Sequence, residues 1–177
     1  MLRVAIVQPS ITIDDKLQEN RFAPVWAKMK QLTLAAAPGA DLVLWPETSR
    51  PGFAVLEGGT IADEAVGAIA REAKVPILYG TNIAEVAGGT VIALYNGAAL
   101  AEPDGRITDW YGKQKLLPFV EGVPFGSFFG WDPRKRAQEG PRKDYLGMLG
   151  SFSSGPKPTV FKVGAARIGV LICFEGM

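Results

Sequence analysis

Short apolar runs alternate with longer amphipathic stretches in the first half of the chain, and this alternation is typical of strands separated by helices. The predicted strands are Leu2–Val7, Asp41–Trp45 and Val75–Tyr79. The predicted helices are Lys16–Ala37 and Thr60–Ala73. Pro38 and Gly39 end the first helix. Pro24 is a second, later candidate for its start, because proline suits the first turn of a helix. Thr60 is a candidate N-cap for the second helix.

Paired strands are the predicted structure of the second half. The runs Val91–Leu100 and Arg106–Tyr111 flank the turn sequence Glu-Pro-Asp-Gly at 102–105, which predicts a hairpin. A second hairpin is predicted from Thr159–Val163 and Arg167–Phe174 around Gly164. Helices early and hairpins later indicate an α/β layered fold with a sheet of mixed direction.

The composition excludes several kinds of catalytic site. The 177 residues are 47% hydrophobic and 21% charged with a net charge of +1, as in an ordinary globular domain, and give no whole-chain argument for nucleic-acid binding. The chain has no histidine, which removes Ser–His–Asp triads, Cys–His pairs and histidine metal sites. With one cysteine there is no internal disulfide, and any general base must be a carboxylate, a lysine or a tyrosine. No apolar stretch is long enough for a membrane-spanning helix or a signal peptide.

Cys173 is a candidate nucleophile because it follows the apolar run Ile168–Ile172. A residue just past a predicted buried strand lies where the backbone turns sharply at the edge of a sheet. Backbone N–H groups at such a turn can hold an oxyanion. The alternative is that this cysteine is a small residue of the core.

Glu47 and Lys113 are the other candidates, since each comes two residues after the end of a predicted strand. A carboxylate beside apolar residues, as in the string Leu-Trp-Pro-Glu at 44–47, is expected to have a raised pKa and to serve as a base. A lysine enclosed in such a site would stabilise an oxyanion as a fixed cation. A loop glutamate and a surface lysine are the ordinary alternatives.

The strings LVLWPE, YGKQKLLPF and VLICFE resemble the three signature segments of the nitrilase, or carbon–nitrogen hydrolase, superfamily. That superfamily uses a glutamate base, a lysine and a cysteine nucleophile in this chain order and needs no histidine. The Tyr95-Asn96 pair, the EPDGR turn at 102–106, KQKLLPFVE at 113–121 and FSSGP at 152–156 resemble the apolipoprotein N-acyltransferase branch. The resemblance covers essentially the whole chain.

The resemblance implies a four-layer αββα sandwich, of which residues 1–177 form one carbon–nitrogen hydrolase domain, expected to be incomplete at its C-terminus. It implies Glu47 as base, Cys173 as nucleophile and Lys113 as the cation at the tetrahedral intermediate. Glu121 is expected to support Lys113 or the base, and Glu175 to fix the cysteine loop, although both could be ordinary surface carboxylates. No cofactor or metal is implied. The family often has a tyrosine where this chain has Phe174, so any role of that hydroxyl is lost.

The implied reaction is phospholipid-dependent N-acylation of the N-terminal diacylglyceryl-cysteine of lipoproteins through a cysteine thioester. The implied location is the bacterial inner membrane, with the domain on its extracytoplasmic side. Membrane helices are expected upstream in a full-length protein and are absent from these residues. Because the domain is also expected to be incomplete just past Cys173, we expect the 177 residues alone to be poorly active. The alternatives are a soluble amidase or nitrilase with the same three residues, and a non-enzymatic domain with a relic site.

The stretch from Gly122 to Pro158 is rich in glycine, proline, aromatic and basic residues, which predicts a long functional loop. Aromatic beside basic side chains suit a membrane surface with anionic headgroups, so we hypothesise a lid that leans on the bilayer. The alternative is that the aromatic rings pack on the domain. The residues concerned are Phe125, Phe128, Phe129, Trp131, Arg134, Lys135, Arg136, Arg142 and Lys143.

Overall fold

The computed structural model describes residues 1–12, 15, 19–118, 120–121, 132–133, 135 and 151–177. The helices are α1 (Phe22–Ala36) and α2 (Glu64–Ala73), with 3₁₀ turns at Glu19–Arg21 and Cys173–Gly176. The strands are β1 (Val4–Ile6), β2 (Leu42–Leu44), β3 (Phe53–Glu57), β4 (Thr60–Ala62), β5 (Ile77–Ala87), β6 (Thr90–Ala101), β7 (Ile107–Gly112), β8 (Val160–Val163) and β9 (Ala166–Gly169).

Strands β1 to β7 form one mixed sheet around the long strand β5. On one side β5 pairs in parallel first with β2, through Ile77 and Leu78, and then with β3, from Asn82 onward. On its other side β5 runs antiparallel to β6, and β6 runs antiparallel to β7. Between β2 and β3 there is a gap along β5, and the chain that links these two strands turns there.

Both faces of this sheet are covered in the described part of the chain. Helices α1 and α2 pack on one face, where Met29, Val66 and Ile77 are among the fully buried side chains. The β8–β9 hairpin packs on the opposite face, with Phe161 fully buried against a cluster that includes Leu78. The structure therefore has a helix layer, a mixed sheet and a further β layer, which confirms the predicted mixed α/β class.

The prediction that Thr60–Ala73 forms one helix is wrong. Thr60–Ala62 is strand β4, paired antiparallel with β3, and the two-residue turn between them has glycines with positive φ at positions 58 and 59. The helix begins at Glu64, and its cap is Asp63 rather than Thr60, because the Asp63 carboxylate accepts the Val66 N–H. Strand β3 was not predicted at all.

The last predicted strand, Arg167–Phe174, is also too long. Strand β9 ends at Gly169, and its residues alternate between partly buried and exposed, so it is not the buried strand that was expected before Cys173. The predicted hairpin of β6 and β7 is confirmed within one or two residues at each end. Helix α1 begins at Phe22, which puts Pro24 in its first turn.

Neither helix described here has the length and apolar character required to span a bilayer.

Candidate active site

Glu47 lies in the turn that fills the gap along β5 between β2 and β3. Before it, the Trp45 ring is buried and its indole N–H donates to the Thr33 hydroxyl of α1 over 2.9 Å, which ties the end of β2 to the helix layer. After it, Thr48 has a positive φ of 46°, and the Ser49 hydroxyl donates to the Pro46 carbonyl over 2.8 Å. The turn leaves the Glu47 side chain exposed.

Gly80 on β5 lets this turn lie directly on the sheet. A Cβ at position 80 would stand 2.4 Å from the Pro46 carbonyl oxygen and 2.6 Å from the Glu47 Cα. Real Cβ atoms do not approach backbone this closely, so any side chain here would move the turn. The position of Glu47 therefore depends on a glycine that lies more than thirty residues away in sequence.

Lys113 follows the last residue of β7, as predicted, and is almost completely buried, with 1% of the residue exposed. Its ammonium forms an ion pair with Glu121, at 2.7 Å between Nζ and Oε2. Its backbone N–H donates to the Asn96 carbonyl and its carbonyl accepts from Gly155, which belongs to the Phe-Ser-Ser-Gly segment. Lys113 is thus not a surface lysine, and both its charge and its backbone are fixed.

The carboxylate of Glu121 is the centre of a small network. Besides the Lys113 ion pair, it accepts from the Leu117 N–H and from the Asn96 side chain, each over 2.8 Å. Burial by itself raises the pKa of Glu121, but the bonds from Lys113, Leu117 and Asn96 outweigh it and hold the pKa below its usual range. The carboxylate is therefore kept ionised beside the lysine.

Asn96 connects this network to Glu47. Its side-chain Nδ2 donates to Oε1 of Glu47 and to Oε1 of Glu121, both over 2.8 Å. One short path of hydrogen bonds thus runs from Glu47 through Asn96 and Glu121 to Lys113. The sequence analysis noted Asn96 only as part of a family-like string, and its contacts depend on pairing between segments that no local pattern specifies.

Cys173 begins the final 3₁₀ turn in a left-handed conformation, with φ of 50°, and is exposed. The sharp backbone turn expected at this position is thus confirmed. A positive φ is uncommon for residues other than glycine, asparagine and aspartate, and active sites are among the places where such residues cluster. The thiol is presented to solvent rather than packed in the core, which contradicts the alternative of a small core residue.

Glu175 holds the cysteine turn against the residues that follow Lys113. Its Oε1 accepts from the Tyr111 hydroxyl at 2.6 Å and from the N–H groups of Gln114 and Lys115 at 2.7 and 3.1 Å. Its Oε2 accepts the Ile172 N–H at 2.9 Å. The cysteine turn is therefore bonded to the same backbone segment that carries the buried lysine.

These contacts shift the pKa values of Glu175 and Tyr111. Burial raises the pKa of Glu175, but the bonds from Tyr111 and from the Ile172, Lys115 and Gln114 N–H groups outweigh it, so the pKa lies below its usual range. The pKa of Tyr111 is raised to about 12 by burial and by the neighbouring carboxylate. The carboxylate therefore stays charged, and the tyrosine stays a donor, at neutral pH.

The structure thus connects Glu47, Lys113 and Glu121 through Asn96, and connects Cys173 to the Lys113 segment through Glu175. The direct approach of the Cys173 thiol to Glu47 and Lys113 stays a prediction. Of the proposed lid, Phe125, Phe128, Phe129 and Trp131 lie outside the described residues, as do Arg134, Arg136, Arg142 and Lys143. The described Lys135 is exposed.

The chain resembles known proteins over almost its whole length. It is 30% identical over 179 residues to the apolipoprotein N-acyltransferase of Geobacter metallireducens, an alignment that covers 99% of this chain and 32% of that protein. It is 29% identical to the enzyme of the same name from Aquifex aeolicus, covering 98% of this chain and 36% of that protein. The chain therefore spans about a third of the length of these curated relatives.

Solved structures show the same fold. Nit3 of Saccharomyces cerevisiae, a member of the nitrilase superfamily, matches with a TM-score of 0.63 and 18% identity, over 98% of this chain and 56% of that one. The carbon–nitrogen hydrolase superfamily protein XC1258 of Xanthomonas campestris matches with a TM-score of 0.59 and 18% identity, over 98% and 54%. The carbon–nitrogen hydrolase family itself matches residues 3–177. The chain belongs to the carbon–nitrogen hydrolase family.

Proposed function

We propose that this chain is the catalytic domain of a phospholipid-dependent N-acyltransferase that acylates the N-terminal diacylglyceryl-cysteine of lipoproteins. The observation that carries the proposal is the bonded path from Glu47 through Asn96 and Glu121 to the buried Lys113. A carboxylate and a fixed cation in one network supply the base and the oxyanion partner that the proposed acyl transfer uses. The curated relatives named apolipoprotein N-acyltransferase favour this substrate class.

In the first half of the proposed reaction, Glu47 takes the proton of the Cys173 thiol, and the thiolate attacks the ester carbonyl of a phospholipid. An unperturbed thiol is mostly protonated at neutral pH, which is why a base is needed. The Lys113 ammonium stabilises the resulting oxyanion. Collapse breaks the ester C–O bond, Glu47 returns its proton to the departing lysophospholipid oxygen, and the acyl group remains on Cys173 as a thioester.

In the second half, the free α-amine of the lipoprotein cysteine attacks the thioester carbonyl. Glu47 takes a proton from the attacking amine, and Lys113 again stabilises the oxyanion. The C–S bond then breaks, the amide is released, and the sulfur of Cys173 recovers its proton from Glu47. Glu121 positions Lys113 in this scheme, and Glu175 positions the cysteine turn through its four hydrogen bonds.

The proposal includes the bacterial inner membrane as location, with the domain on the extracytoplasmic side and a membrane surface as partner. Its support is the resemblance to the acyltransferases together with the aromatic and basic residues of the Gly122–Pro158 stretch. Replacing Phe128, Phe129 and Trp131 by serine is expected to weaken co-sedimentation with anionic phospholipid vesicles. Unchanged co-sedimentation would contradict the membrane-facing lid.

Thioester formation is the test of the proposed function, because it needs only one turnover. The purified chain is incubated with phosphatidylethanolamine in mixed micelles, and its intact mass is measured. We expect one acyl group that hydroxylamine removes, none on Cys173→Ala, and much less on Glu47→Gln and Lys113→Met.

An amidase with the same three residues is the second candidate, since an amidase from Nesterenkonia sp. AN1 shares this fold with a TM-score of 0.57. Hydrolysis of small amides without any lipid-derived thioester would favour it and contradict the acyltransferase.

A further inference from the structure

Asn96 is a buried amide that faces two carboxylates. It is 4% exposed, and its Nδ2 lies 2.8 Å from an oxygen of Glu47 and 2.8 Å from an oxygen of Glu121. A side-chain amide has two N–H donors, so both are used by these two bonds. Its Oδ1 is buried without a hydrogen-bond partner among the described residues.

The orientation of this amide follows from its neighbours. With the amide turned over, Oδ1 would face two carboxylate oxygens, and three acceptors would meet with no proton between them. The unpartnered Oδ1 is the cost of pointing both donors at the carboxylates. Two hydrogen bonds to charged acceptors outweigh one unpaired neutral oxygen, since bonds to ionised groups are roughly twice as strong as neutral ones.

The amide of Asn96 also lies between two like charges. Because both oxygens lie 2.8 Å from the same nitrogen, they are at most 5.6 Å apart, twice that distance, where like charges repel in a partly buried site. Lys113 bonds directly to Glu121. Glu47 is joined to that ion pair through the Asn96 amide, which supplies a donor between the two charges.

The backbone of Asn96 also fixes the position of Lys113. Its carbonyl accepts the Lys113 N–H over 2.8 Å, which continues the pairing of β6 and β7. One residue thus contacts Glu47 and Glu121 through its side chain and Lys113 through its backbone. A displacement of Asn96 would change the spacing between the carboxylate at position 47 and the ammonium at position 113.

We infer that Asn96 is a positioning residue that fixes the Glu47 carboxylate relative to the Lys113–Glu121 ion pair, so that base and cation keep one spacing. The inference rests on the proposed function, in which Glu47 takes the Cys173 proton. Asn96 does not contact the reacting atoms in this role. Its effect on the thiol passes through Glu47, which makes the inference testable without any lipid.

The test is a double-mutant cycle on the alkylation rate of Cys173 by iodoacetamide at neutral pH. The chain has one cysteine, so every alkylated molecule reports this thiol. Asn96→Leu keeps the side-chain size and removes both donors. We expect Glu47→Gln and Asn96→Leu each to slow alkylation about tenfold or more, the effect of losing a hydrogen bond to a charged group.

The double variant should alkylate no more slowly than Glu47→Gln alone, because the effect of Asn96 requires the carboxylate. Losses that multiply would indicate general disorder of the site and overturn the inference. Asn82→Leu is the matched control. Asn82 lies opposite Asn96 in the sheet and also has a buried unpaired Oδ1, but in the described structure it bonds neither carboxylate, so its variant should keep the original rate within about twofold.

Failure of the inference and failure of the proposed function give different results. If Glu47→Gln alkylates as fast as the original chain, the assignment of the base fails and the inference fails with it. If Glu47→Gln is slow and Asn96→Leu is not, only the inference is overturned.

Thermal unfolding confirms that each variant folds. If Asn96→Leu does not fold, Asn96→Ser takes its place: a hydroxyl has one donor and cannot bridge two carboxylates. If Asn96→Ser alkylates at the rate of the original chain, the inference is overturned. If Asn96→Ser slows alkylation in the original chain but not in Glu47→Gln, the inference is supported.

Discussion

Removal of the Glu121 charge should destabilise the fold far more than removal of a similar charge at the surface. Glu121→Gln keeps the shape of the side chain but leaves the Lys113 ammonium without its anion. In the native chain that ammonium is 2.7 Å from Glu121, and the exposed fractions of the two side chains are 1% and 12%. The ammonium therefore cannot turn to solvent without moving the chain around it.

The expected loss is about 3–5 kcal/mol of unfolding free energy, the usual cost of removing one partner of a buried ion pair. For a domain of this size, each kcal/mol lowers the melting temperature by about 2–4 °C. The melting temperature should therefore fall by roughly 6–20 °C. Replacing both partners, with Lys113→Met beside Glu121→Gln, should recover much of the loss because no buried charge is then left alone.

Glu72→Gln is the matched control. The Lys30–Glu72 pair has the same 2.7 Å separation, but its side chains are 47% and 49% exposed. Exposed pairs contribute about 0–1 kcal/mol, so the melting temperature should change by less than about 4 °C. Calorimetry at neutral pH measures both variants. Equal small losses for Glu121→Gln and Glu72→Gln would refute the argument that burial makes the Lys113 pair different.

Three further outcomes follow from the described contacts. Glu175→Gln removes a charged acceptor of four hydrogen bonds. It should lower the free energy of unfolding, measured with urea, by about 2 kcal/mol and should slow thioester formation about tenfold. Gly80→Ala should slow thioester formation about a hundredfold by displacing Glu47, whereas Gly169→Ala, whose Cβ has no atom within 4 Å, should not change it. The pKa values of Glu121 and Glu175 lie below their usual 4.5, so their stabilisation is full above that pH and is lost as the pH falls through the folded values. The urea midpoint should therefore drop between about pH 5 and pH 3, and drop less in Glu121→Gln.

The regular elements were predictable where one pattern dominated the sequence. The β6–β7 hairpin combines long apolar runs with a Pro-Asp-Gly turn, and its prediction was accurate to one or two residues. The secondary-structure prediction failed in the stretch from Phe53 to Ala73, because Thr60 suits both a helix N-cap and a strand. Only the pairing of β4 with β3 decides between them, and that pairing is a tertiary contact.

The candidate site was only partly predictable, for a similar reason. Lys113 was identified from the sequence string around it. Its burial, however, depends on Glu121 and on the Gly155 segment, which sequence patterns do not bring together. Asn96 lies 49 residues from Glu47 in the chain, and their contact depends on the register of β5 with β6. Register is set by the whole sheet rather than by local propensity. A polar residue inside an otherwise apolar strand was the one local signal available.

The central claim is that Glu47, Lys113 and Cys173 form one acyl-transfer site, and a crystal structure with an acyl group on Cys173 tests it most directly. The account predicts that the thioester carbonyl oxygen lies within about 2.7–3.1 Å of the Lys113 Nζ or of a backbone N–H of the cysteine turn. It also predicts that the sulfur lies within reach of the Glu47 carboxylate, about 3–4 Å. An acyl carbonyl pointing into solvent, with Lys113 and Glu47 both remote from the thioester, would contradict the account.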